Sequence, residues 1–155
     1  LGILHNCEVV TVYNAKGEDF YLISNLIPVS PLNCSAMGKL FLSKFSEKDL
    51  KEYFGSNKPE TRTVNSIVDL EGFLKLKKEI ERDGISYDRE EYEYGLSCIA
   101  APINDTLGNI IAAISISGPT TRLKYKGNDN LKDLLVLTTQ EISRIYSNMF
   151  VHSLL

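Results

Sequence analysis

Histidine is scarce in this chain, cysteine is odd in number and the basic residues do not cluster. Only His5 and His152 occur, near opposite ends of the 155 residues. A His-rich metal centre is thereby excluded. The three cysteines, Cys7, Cys34 and Cys98, show no CxxC spacing. They fit neither a disulfide framework nor a zinc ribbon, and reduced thiols in a cytoplasmic protein are the simplest account. No metal and no cofactor is expected. No apolar run is long enough to span a membrane, and neither an internal repeat nor a low-complexity tract occurs. The chain opens LGILHN without an initiating Met, so a missing targeting signal excludes little.

Charge narrows the partners. The net charge is -3 and the pI is near 5.4. The 17 basic residues are scattered, and the densest group (Lys75, Lys77, Lys78) is followed by Glu79 and Glu81. That pattern reads as a solvated helix face. A chain so balanced is not expected to grip a phosphate backbone itself.

What the chain does have is length for one domain and an ordinary apolar share, 43% against 24% charged, enough for a sizeable core. LGILHN, EVVTVYNA and DFYLISNLI read as strands. The two prolines of PVSP break the chain after them. NCSAMGKLFLSKF predicts an amphipathic helix, with an N-cap from Asn33 or Ser35. A second helix opens at Ser46, where Ser46 and Asp49 resemble a capping box, and stops near Gly55. DLEGFLKLKKEIERDG predicts a third, with Asp69 at its start, Gly84 at its end and Leu70, Phe73, Leu74, Lys77 and Ile80 on one stripe. ISYDREEYEYG gives a strand and a charged turn. A long last helix carries Leu134, Leu137, Thr138, Glu141, Ile142, Ile145 and Met149 at helical spacing. The order β-β-β-α-α-α-β-β-β-α predicts an α+β fold with a mainly antiparallel sheet.

The stretch GLSCIAAPINDTLGNIIAAISISGP is a hairpin punctuated by Asn104, Asp105 and Gly108. With the turn centred between Thr106 and Leu107, Cys98 lies opposite Ser115 and Leu96 opposite Ser117. Period two then puts Leu96, Cys98, Ala100, Ala113, Ser115 and Ser117 on one face. Ile99, Ala101, Ile103, Ile110, Ala112, Ile114 and Ile116 occupy the other. The large branched face suits a packed core. The small, mildly polar face suits either a closely packed helix or the floor of a pocket, and a one-residue slip would exchange the two faces. The helix start near Ser35 offers free N–H groups to an anion, beside the plainer reading of a capped helix with Lys39 in solvent.

PLNCSAMGKLFLSKFSEKDL, followed by D-x-E-E-x-x-x-G-x-x-C-I-A-A-P and S-I-S-G-P, closely resembles the effector-binding domain of the isocitrate lyase regulator (IclR) family of bacterial transcription factors. The resemblance covers nearly the whole chain, and its blocks are specific in combination. It implies a GAF/profilin-like fold, a curved antiparallel sheet flanked by helices, with residues 1–155 forming a single effector-binding domain. It implies a pocket for a small organic acid: a keto- or hydroxy-acid, a sugar acid or an aromatic acid. The ligand carboxylate would meet the backbone N–H groups of Ala36 and Met37. Asp88, Cys98, Ser115 and Ser117 would supply polar contacts, Leu96 a wall, and Leu22 and Leu26 an apolar cap. It further implies a homodimer or dimer of dimers, and DNA contact only through an N-terminal winged helix-turn-helix absent from this chain. No catalytic residue is expected. The rival readings are an enzyme using Cys98, which lacks an adjacent base, and a ligand-free oligomerisation domain with a filled pocket.

Overall fold

The computed structural model describes residues 1–15, 28–56 and 59–152. The expected third strand, at residues 19–27, lies outside them, as do Leu22 and Leu26. Strands β1 (Gly2–His5) and β2 (Glu8–Thr11) form a hairpin with His5 paired to Glu8. Asn6 and Cys7 make its two-residue turn, both at positive φ, 48° and 60°. Two left-handed residues match the right-handed strand twist, as in type I′ turns. PVSP does not simply break the chain: Val29–Pro31 is strand β3, paired antiparallel to β2. The sheet order β3-β2-β1-β6-β5-β4 puts β3 at an edge, where the missing N–H of a proline costs no ladder bond.

Helix α1 (Ala36–Ser43) is capped by Ser35, whose Oγ accepts the Gly38 N–H at 3.1 Å. A Cβ on Gly38 would stand 2.5 Å from Leu32 Cα, so only glycine lets α1 lie this close to the preceding segment. Helix α2 (Glu47–Ser56) starts at the expected Ser46–Asp49 reciprocal pair. In α3 (Leu70–Asp83), Asp69 Oδ1 accepts the Gly72 N–H at 2.7 Å, and Gly84 at φ 68° ends the helix. Phe73 and Ile80 of its stripe are buried, while Leu74 is 40% exposed.

Strands β4 (Ser86–Arg89), β5 (Leu96–Asn104) and β6 (Ile110–Pro119) complete an entirely antiparallel six-stranded sheet. Among the described residues, the sheet curls into a half-barrel flanked by five helices. The β5–β6 register differs from the expected one by two residues: Cys98 faces Ser117 and Ala100 faces Ser115. A shift of two preserves every face, because side chains alternate with period two. A bulge near Asn104 pairs that residue with Ile110, which moves Ile110 to the small face, where it packs with the α1 core. A bulge adds one residue to one strand and so reverses the alternation beyond it.

Helices cover both faces. On the large face Ile99, Ala101, Ile114 and Ile116 pack against Leu135 and Val136 of α5 (Asn128–His152). On the other, Ala100 and Ala113 pack under Met37, Leu40 and Phe41 of α1, with Phe73 and Ile80 of α3 in the same cluster. Each fully buried Leu, Ile or Phe there contributes about 1.5–3 kcal/mol. The apolar stripe expected on the last helix turns outward: Leu134, Leu137, Ile145 and Met149 are 60, 65, 46 and 68% exposed, whereas Leu135 and Thr139 are buried. Helix α4 (Thr120–Lys126) was not expected from the sequence, because its only buried residue is Leu123 and it carries no apolar period.

Candidate functional site

The small face of the sheet is divided. Helix α1 covers Ala100 and Ala113 completely, so close helix packing describes that part. Toward the end of β6 the cover stops: Cys98 and Ser115 are half-buried and Ser117 is exposed. Strand pairing arranges two rows across β4, β5 and β6. Asp88, Cys98 and Ser117 form one, and Ser86, Ala100 and Ser115 the other. Rows two residues apart lie about 6.7 Å from each other, and three strands span about 10 Å. Leu96 is buried with Cys34 and Tyr92, and Cys98 packs against this group. Asp88, Leu96, Cys98, Ser115 and Ser117 therefore share one region of one face, as expected.

The start of α1 adds donors. Ser35 Oγ takes the Gly38 N–H, and Lys39 N–H goes to the Ser35 carbonyl at 3.0 Å. The N–H groups of Ala36 and Met37, the first two residues of the helix, are left without an acceptor among the described residues. Both residues are buried, at 2% and 9% exposure. Unpaired first-turn donors with the helix dipole behind them favour an anion.

Lys39 does not point to solvent. Its side chain is fully buried and forms an ion pair with Glu91, whose side chain is only 6% exposed. Lys39 lies three residues after Ala36, on the side of α1 that meets β4, where the lysine stem fills core volume and its ammonium reaches Glu91. Burial lowers its pKa, while Glu91 and then Asp88 oppose the shift. Asp88 is 1% exposed. Its Oδ1 accepts the N–H of Glu91 at 2.7 Å and of Tyr92 at 3.3 Å, so it ties the 88–92 turn as well as facing the site. Burial pushes its carboxyl up to about 6, against the pull of the Glu91 N–H and of Lys39. Burial, then the Asp88 charge, pushes the Cys98 thiol up to about 12, against the opposing pull of Ser117. Cys34 is likewise raised to about 12, by burial first.

Sequence reasoning missed four participants. Glu91 stands in a run of acidic residues that nothing local distinguishes. Ser86 lies two residues before Asp88 on the same face, and its Oγ is buried without a hydrogen-bond partner. That position follows from strand period alone. Tyr92 is buried beneath the Arg62 guanidinium, 4.0 Å from its ring centroid. Asn33, a residue weighed as an N-cap, instead donates to the carbonyls of Glu60 and Ile67 at 2.8 and 3.0 Å, holding the 59–67 segment against α1. Among the described residues, no group of three or more His, Cys, Asp or Glu side chains could hold a metal ion. No helix among them is long and apolar enough to cross a membrane.

Known proteins resemble this chain in sequence and in fold. Residues 1–144 match the family described as bacterial transcriptional regulator IclR C-terminal. The DNA-binding transcriptional repressor YiaJ of Escherichia coli (strain K12) is 41% identical over 115 residues, 73% of this chain and 41% of that protein. The HTH-type transcriptional repressor AllR of the same strain is 34% identical over 113 residues, 73% of this chain and 42% of that protein. The crystal structure of transcriptional regulator YaiJ matches with a TM-score of 0.86 at 33% identity, covering 92% of this chain and 81% of that one. The chain thus spans about two-fifths of the length of the curated relatives it matches. By sequence and by fold together, the chain belongs to the IclR family of bacterial transcriptional regulators, as its C-terminal domain.

Proposed function

We propose that this chain is the effector-sensing part of a transcriptional repressor, and that it binds a small organic acid. The ligand carboxylate meets the N–H groups of Ala36 and Met37. Its keto or hydroxyl oxygens meet Asp88, Cys98, Ser115 and Ser117, and Leu96 walls the site. The observation that carries this reading is the pair of buried donors at the start of α1, without an acceptor among the described residues, over the same sheet face as the Asp88–Cys98–Ser117 row. Leu22 and Leu26 complete an apolar cap in this proposal. Such a site selects hydroxy- or keto-acids over purely apolar molecules, because a molecule without hydrogen-bonding groups leaves the buried polar groups unpaired.

Control of DNA binding is assigned to the remainder of the full-length protein, in keeping with the relatives' names as DNA-binding and HTH-type repressors. Ligand binding alters DNA affinity through differential affinity for two forms of that protein, assembled as a dimer or dimer of dimers in the cytoplasm. An enzymatic role for Cys98 is disfavoured by its chemistry. A thiol held near 12 stays protonated at neutral pH, and the thiolate is the nucleophile. Tests use thermal unfolding with millimolar pyruvate, glyoxylate, a keto-deoxy sugar acid, hydroxybenzoates and acetate. A ligand at 100 times its dissociation constant stabilises by about 2.7 kcal/mol, roughly 5–11 °C for a chain of this size. A selective shift lost in Ser115→Val is expected. No shift with any acid would sink the proposal.

A further inference from the structure

Among the described residues, the buried side of the site holds three charged groups, of which one is a cation. Asp88 and Glu91 supply two carboxylates, and Lys39 supplies the ammonium. Lys39 is committed to Glu91. Asp88 receives backbone N–H bonds from Glu91 and Tyr92, both on Oδ1. The other groups facing it are thiols: Cys98 from β5 and Cys34 from the turn before α1. Neighbouring arginines are engaged elsewhere among the described residues. Arg89 lies over the Tyr87 ring at 4.7 Å, and Tyr87 belongs to the opposite face of the sheet. Arg62 covers Tyr92 and pairs with Glu60. With Asp88 ionised the buried cluster carries one excess negative charge. With Asp88 neutral it balances.

An acid entering beside this cluster brings a further negative charge into a region with no free cation among the described residues. Two carboxylates sharing a desolvated site do not both ionise readily. Resting on the reading that the site takes an organic acid, we propose that the acid binds as its carboxylate together with one proton taken up by Asp88, and that the site thereby accepts monocarboxylates and rejects dicarboxylates. The proton comes from solvent and resides on Oδ2, because Oδ1 already accepts two N–H groups. No bond of the ligand is made or broken. Neutral Asp88 then donates a hydrogen bond to a keto or hydroxyl oxygen, which an ionised carboxylate could only meet as an acceptor. A second ligand carboxylate here would face Asp88 and Glu91 with no free cation among the described residues to receive it.

The test is affinity against pH on this chain, with glyoxylate, pyruvate and 3-hydroxybenzoate as probes and malonate as the dicarboxylate counterpart. With Asp88 titrating at about 6 in the free protein, binding should weaken roughly twenty- to thirtyfold between pH 5.5 and 7.5. The probe carboxylates stay ionised throughout that window. Calorimetry at pH 7.5 in two buffers of different ionisation enthalpy should count close to one proton taken up per acid bound. Asp88→Asn, a mimic of the neutral acid, should bind with a flat pH profile. A probe that binds with equal affinity at both pH values and no proton uptake overturns this inference and leaves the acid-binding function standing. So does malonate binding at pH 7.5, where it is a dianion, as tightly as the monoacids. If no probe binds at either pH, the functional reading fails and this inference falls with it.

Discussion

Replacing Lys39 by methionine tests the buried ion pair directly. Methionine keeps most of the lysine stem's volume and removes only the charge and its donors. The Lys39→Met variant leaves the Glu91 carboxyl, with its side chain 6% exposed, without its cation and beside the buried Asp88. Breaking a buried pair from one side costs about 3–5 kcal/mol, because the remaining charge stays desolvated. A chain of this length loses roughly 2–4 °C of Tm per kcal/mol, so a fall of about 6–20 °C is expected. Urea unfolding followed by far-UV circular dichroism should give a lower midpoint at an unchanged slope, since the surface exposed on unfolding is the same. Two companions make the cause specific. Lys39→Met combined with Glu91→Leu removes both charges and should recover most of the loss, because a buried pair is often no more stable than its apolar replacement. Lys75→Met breaks the Lys75–Glu71 pair, whose side chains are 76% and 83% exposed, and should cost well under about 1 kcal/mol. A Lys39→Met loss no larger than that of Lys75→Met would refute the reasoning. So would a double variant worse than the single.

Two further outcomes are expected. Ser86→Ala deletes a buried hydroxyl with no partner and should raise stability by about 1 kcal/mol, a gain of a few degrees in Tm, whereas a loss of that size would show a hydrogen bond at Ser86. Asp88 sets a pH dependence with a definite sign. Its folded pKa, about 6, lies above the ordinary 3.8, so its contribution is full below pH 3.8 and is lost as pH rises through 6. Relative to Asp88→Asn, the ligand-free wild-type chain should therefore lose on the order of 2–3 kcal/mol between pH 4 and 7 by urea titration, and a constant difference would contradict the burial argument.

Local sequence rules accounted for much of the fold. Caps at Ser35, Ser46 and Asp69 and the stop at Gly84 stand where short-range hydrogen bonding puts them. These motifs close within three or four residues and need no tertiary partner. The hairpin faces were also legible, and they survived a register error of two residues because side-chain alternation has period two. The sharing of one face by Asp88, Cys98, Ser115 and Ser117 follows from that parity and from strand pairing.

Tertiary structure decided the rest. Lys39 has the local pattern of a first-turn helix residue free to reach solvent, and only the packing of α1 on β4 brings it to Glu91, 52 positions away. On the last helix, helical spacing marks an apolar stripe, but contact with the sheet selects the side carrying Leu135 and Thr139 and leaves Leu134 and Leu137 outside. The bulge that turns Ile110 to the α1 face depends on how the hairpin closes. The elevated pKa of Asp88 depends on burial beneath segments distant in sequence. Sequence by itself determined the elements and their faces, because hydrogen bonding and side-chain alternation are local. The tertiary structure alone determined which charges meet and which stay desolvated, because those depend on what the chain brings together from afar.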